Sequence, residues 1–177
     1  MVRRDLVQRD IVHVTAMKSS SILFVSILIL SEGAVRAADY RVGIDKVDIT
    51  PNGPIWMSGY ANRTKPSEGV LQRLYAKALA IEDKKGGRIV IVTTDLIGLP
   101  RAMSDVVGAR VEKEHGLERA RLVLNSSHTH TGPVVRPNLS SMYNLDAKQD
   151  EAVRAYAEKL TDMLVHVVGA ALKQLKP

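Results

Sequence analysis

The sequence predicts an α/β fold with a mixed, partly parallel sheet flanked by helices, and three observations carry that prediction. Arg88-Ile89-Val90-Ile91-Val92-Thr93-Thr94 is β-branched or apolar at nearly every position, as a central strand covered on both faces would be. A helical pattern from Pro100 to His115 separates it from a second apolar run, Arg121–Asn125. A strand–helix–strand unit of this kind normally closes as a right-handed crossover between parallel strands. Finally, Val153, Ala157, Leu160, Leu164, Val167, Ala171 and Leu175 recur at helical spacing and form one apolar stripe.

The remaining elements follow in chain order. Tyr40 to Thr50 alternates well enough to be a strand, and Pro51-Asn52-Gly53-Pro54 ends it in a turn. Leu74 to Glu82 is a second strand with Leu74, Ala76, Ala78 and Ala80 on one face, although its alanines keep a helix open. Asp83-Lys84-Lys85-Gly86-Gly87 is a hairpin turn, and Lys84, Lys85 and Arg88 read as its basic tip rather than as a phosphate patch. The crossover helix starts at Pro100, presents Met103, Val106, Val107, Arg110 and Val111 on one face, and stops at Gly116. Asp150 is the expected cap of the closing helix.

Composition narrows the function classes. At 177 residues, 45% hydrophobic and 25% charged, the chain is long enough for one domain with a real core. Aromatic residues make up only 4%, which argues against the stacking platforms of nucleic-acid binders. The net charge of +6 is scattered rather than gathered into a patch. Met17-Lys18-Ser19-Ser20, the apolar stretch Ile22 to Leu30, and Ala34-Val35-Arg36-Ala37 together read as a signal peptide covering residues 1–37. The competing reading is a buried helix or strand. Met17 opens the pattern so cleanly that residues 1–16 are an over-extended start or a long n-region. The apolar stretch is shorter than the roughly 20 residues a bilayer requires. Export places the protein outside the cytoplasm, secreted or periplasmic. The chain has no cysteine, so no disulfide supports it there.

The candidate site is His128-Thr129-His130-Thr131-Gly132-Pro133, directly after the run Leu122–Ser127. In an extended segment His128 and His130 would share a face at a strand's carboxyl end, where open α/β sheets place their ligands. Imidazole is a common zinc ligand, and two histidines make half of a tetrahedral site. A satisfied polar rim is the alternative reading. Asp95, at the end of the neighbouring strand, is the carboxylate best placed to hold the other ring nitrogen of His128; it could equally cap the following turn. Gly59-Tyr60 could line a pocket mouth or simply make a turn. His13, His115 and His166 invite no functional reading.

Several segments together resemble one family, the neutral (non-lysosomal) ceramidases and their bacterial relatives. They are Val42–Pro51, Met57-Ser58-Gly59-Tyr60-Ala61, Leu74-Tyr75-Ala76-Lys77-Ala78, Val90–Leu96 and, most specifically, Asn125–Pro133. The resemblance implies a zinc-dependent amidase that splits ceramide into sphingosine and a fatty acid. It implies that His128 is a zinc ligand and that His130 lies in the active site close to the substrate. The family's other ligands, a His, a Glu and a Tyr, come from farther along its chain, so residues 38–177 would be the N-terminal portion of a larger hydrolase domain. Thr131 stands where the family usually has Ser. A lipid-amide substrate would bring the protein to membrane surfaces, and no nucleic-acid partner is expected. A metallo-β-lactamase-type hydrolase is disfavoured, because Thr131-Gly132 replaces the Asp-His pair it needs. The alternative function is a secreted, non-catalytic binding or interaction module with structural histidines. As a fragment, residues 38–177 are expected to be inactive and poorly soluble, with the closing helix's stripe left without covering strands.

Overall fold

The computed structural model describes residues 39–177, and the targeting segment expected at 1–37 lies outside them. Four strands, β1 (Tyr40–Asp48), β2 (Tyr75–Asp83), β3 (Arg88–Thr94) and β4 (Leu122–Ser126), form one sheet in the order β1-β2-β3-β4. The first two pairings are antiparallel and β3–β4 is parallel, so the sheet is mixed as expected. Helix α1 (Arg101–His115) makes the crossover, and helix α2 (Ala147–Lys173) closes the described chain. No helix among the described residues is long and apolar enough to cross a membrane.

Local chemistry explains the boundaries. Gly86 (φ 79°) takes the left-handed position of the β2–β3 turn, where Asp83 Oδ1 accepts from the amides of Lys85 and Gly87 at 2.8 Å each. Gly116 (φ 63°) ends α1 as a left-handed cap. Arg121 belongs to a short 3-10 turn before β4 rather than to the strand. The cap of α2 is Asp146, not Asp150. Asp146 accepts from the Gln149 amide while the Gln149 side chain accepts from the Asp146 amide, a complete capping box. Asp150 sits one turn inside, between Arg136 and Arg154.

Two further expectations change in three dimensions. The α2 stripe is covered: Val153, Leu160, Leu164, Val167 and Ala171 are fully buried, packed on the sheet and on α1. Ala76, Ala78 and Ala80 supply the facing surface, and their small side chains let the helix lie close. On α1, Met103, Val107 and Val111 join this core, but Val106 is half exposed. Among the described residues, strand β3 is covered on one face only. Val90, Val92 and Thr94 are buried, whereas Ile89 and Thr93 are exposed. Both helices lie against the same side, because α1 and α2 pack on each other there.

Beyond α2, Lys176 pairs with the outer edge of β1, with Val42 N to Lys176 O at 2.7 Å and Lys176 N to Val42 O at 3.0 Å.

Candidate metal centre

The histidine loop grows directly out of β4. Ser127 N donates to Thr94 O at 2.9 Å, extending the parallel ladder by one residue. At His128 the backbone turns into the left-handed region (φ 60°), so the segment is not the simple strand end that alternation suggests. The two imidazoles are nevertheless neighbours, their centroids 5.3 Å apart and their planes at 62°. Ser127, Thr129 and Thr131 face a cleft of about 960 Å³ that the imidazoles do not line.

His128 Nδ1 lies 2.8 Å from the Ile97 carbonyl, in the loop after β3. A carbonyl only accepts, so this contact places the proton on Nδ1 and leaves the Nε2 lone pair available. The expected acceptor, Asp95, has a different partner: its Oδ2 accepts from the Tyr75 amide at 2.9 Å, tying the ends of β2 and β3 together. Backbone carbonyls have no signature in sequence, which is why the carboxylate looked like the better candidate.

His130 is enclosed by a segment far away in the chain. Ser58 N donates to Gly132 O at 2.9 Å and Val134 N to Trp56 O at 2.8 Å, so residues 56–58 run antiparallel to 132–134. Buried Ser58 adds hydroxyl contacts to the carbonyls of Gly132 and Pro133 at 3.3 Å. This pairing sets Gly59 (φ 100°) against His130 so closely that a Cβ there would fall 2.4 Å from the imidazole Cγ. The Gly59 amide donates to the Tyr143 hydroxyl at 2.8 Å. The Tyr60 ring meets His130 edge-on at 5.0 Å. Arg63 Nη2 donates to the His130 carbonyl at 2.8 Å, and its guanidinium lies 5.3 Å from the Tyr60 ring centroid. Gly59-Tyr60 is therefore part of the site, with Gly59 at a bend just before the turn at 61–62. Arg63 and Tyr143 carried no sequence signal at all, since neither falls in a motif with the histidines.

The described residues fit one metal ligand and not a whole centre. The Ile97 carbonyl at His128 Nδ1 suits the neutral ring with Nε2 as its free ligand atom, whereas a zinc site needs at least three protein ligands. Among the described residues, no group of three or more His, Cys, Asp and Glu side chains could hold a metal ion. His115 stands elsewhere, packed against Gly169 between α1 and α2, and His166 is exposed.

Comparison with known proteins bears on this geometry. Residues 40–177 match the family "Neutral/alkaline non-lysosomal ceramidase, N-terminal". The neutral ceramidase of Pseudomonas aeruginosa is 30% identical over 168 residues, covering 89% of this chain and 24% of that protein. That of Drosophila pseudoobscura is 31% identical over 121 residues, or 66% of this chain and 17% of its own length. The crystal structure of the Pseudomonas aeruginosa enzyme superimposes with a TM-score of 0.64 at 29% identity, over 80% of this chain and 22% of that one. The chain thus spans a quarter or less of the length of these relatives. With the family matched over residues 40–177 and the sheet shared with a solved member, the chain belongs to the neutral/alkaline non-lysosomal ceramidases, to the N-terminal part of their domain.

Proposed function

We propose that this chain carries the histidine-bearing part of a zinc-dependent amidase centre that hydrolyses a linear N-acyl amide such as ceramide, releasing sphingosine and fatty acid. The observation that carries the reading is the 2.8 Å contact from His128 Nδ1 to the Ile97 carbonyl: an acceptor there calls for the proton on Nδ1 and, in the neutral ring, leaves Nε2 for a metal. Bound zinc would supply a Lewis acid for the amide carbonyl and a water of lowered pKa. His128 Nε2 would hold the ion, with the remaining ligands contributed from outside the described residues. His130, in ring contact with His128, would donate to the developing oxyanion or carry the proton to the departing amine. The signal-peptide pattern of residues 1–37 would export the protein, secreted or periplasmic, and a lipid-amide substrate would bring it to membrane surfaces.

Metal content and turnover test the two roles separately in the full-length protein. His128→Ala should lose stoichiometric zinc. His130→Ala should keep it, with turnover of a short-chain ceramide reduced by about 10²–10⁴-fold, the range for loss of a proton-transfer group. Equal zinc retention in both variants would refute the assignment.

A further inference from the structure

We propose that Arg63 is a positioning residue for His130, acting through the His130 backbone and through the ring of Tyr60. The inference rests on the amidase reading for its catalytic consequence, while the clamp itself stands on geometry. Two contacts of the guanidinium and one of its ring partner converge on His130. Arg63 Nη2 donates to the His130 carbonyl at 2.8 Å, so it fixes the peptide that follows the imidazole. Its planar group lies 5.3 Å from the Tyr60 ring centroid, within range of a cation–π contact. Tyr60 in turn touches the His130 ring edge-on at 5.0 Å. Among the described residues Arg63 Nε is also buried without a hydrogen-bond partner, a costly state that persists only where other contacts dictate the side chain's position.

The clamp answers a specific mechanical need. Tyr60 is 52% exposed, so packing alone does not hold its ring over His130. The imidazole is bounded by His128 on one side and by the Cβ-free surface of Gly59 on another. Tyr60 closes a further side only while Arg63 holds it. A lysine cannot replace this device, because a compact ammonium lacks the extended planar group that donates to the carbonyl while lying over the ring.

The test uses Arg63→Ala and Arg63→Lys with two independent readouts. By NMR on the unmodified chain and both variants, Tyr60–His130 ring NOEs should be strong in the wild type and lost in Arg63→Ala. They should not return in Arg63→Lys. The thermal midpoint should shift by only a few degrees, the scale set by one hydrogen bond and one cation–π contact. In the full-length enzyme, kcat should fall about tenfold in both variants with KM nearly unchanged, the pattern expected when a reacting group loses its orientation. Persistence of the ring NOEs in Arg63→Ala, or full recovery of kcat by lysine, would overturn the proposal. If the wild-type enzyme hydrolyses no amide, the amidase reading fails by itself and the NOE comparison still decides the clamp.

Discussion

Gly59 shows how the site is specified at single residues. Its φ of 100° suits glycine, and the space a Cβ would need is already filled by His130. Backbone conformation and close approach point to the same residue type. A comparable economy appears at Asp48, where Oδ1 accepts from the Thr50 amide at 2.9 Å and Oδ2 pairs with Arg73 at 2.6 Å. The Thr50 side chain and amide, followed by Arg73, hold the Asp48 carboxyl below its ordinary value of 3.8. A depressed folded-state pKa gives stability that is fully present above the unfolded value and is lost as pH falls through the folded one. The Asp48 side chain is 36% exposed, so the effect is small. Urea midpoints of the wild type and Asp48→Asn should therefore differ at neutral pH and converge below about pH 3.8. A constant difference across that range would mean that ionisation of Asp48 does not contribute.

At the scale of elements, the fold depends on how closely α2 approaches the sheet. Gly43 in β1 lies under the end of the helix, where a Cβ would be 2.1 Å from the Ala171 carbonyl oxygen and 3.0 Å from the Leu175 nitrogen. Both are backbone atoms, so relief requires the helix or the strand to shift. Gly43→Ala should cost about 1–3 kcal/mol, the usual penalty for overpacking a close contact. Gly53→Ala, with nothing within 4 Å of its Cβ, is the control and should be close to neutral. Denaturant unfolding of the two variants makes the comparison, and equal stabilities would show that the β1–α2 contact yields readily. The same closeness explains the alanines of β2. They read ambiguously between helix and strand, and the structure uses them as a strand floor beneath α2.

At the scale of the whole molecule, the sheet has one dressed face and one bare face among the described residues. Register lines up the bare side into rows, Val42–Ile81–Ile89 and Ile44–Leu79–Ile91–Val123, followed by the polar row Lys46–Lys77–Thr93–Asn125. Ile44 is 64% exposed and Val123 43%. The apolar surface expected on α2 is thus covered, and an exposed one lies instead on the opposite side of the sheet. A contiguous patch of this kind favours self-association. The chain should bind a hydrophobic dye such as ANS and self-associate. The double variant Ile44→Thr/Val123→Thr should reduce both while changing stability by no more than about 0.5 kcal/mol per site. Unchanged dye binding would place the sticky surface elsewhere.

Much of this was legible in the sequence. Strand and helix types follow from local periodicity, the hairpin from Asp83 and Gly86, the end of α1 from Gly116, and the pairing of His128 with His130 from their adjacency in the chain. These depend on interactions a few residues long, which local patterns record. Which side of the sheet the helices cover, and hence that β3 is bare on one face among the described residues, was decided only when α1 and α2 packed together. The same holds for the partner of His128, an Ile97 carbonyl 31 residues away, and for the enclosure of His130 by Gly59, Tyr60 and Arg63, about 70 residues earlier in the chain. Such contacts join residues distant in sequence through backbone groups and ring edges, which every residue or many residues can offer. No local pattern marks them, and only the folded chain selects among them.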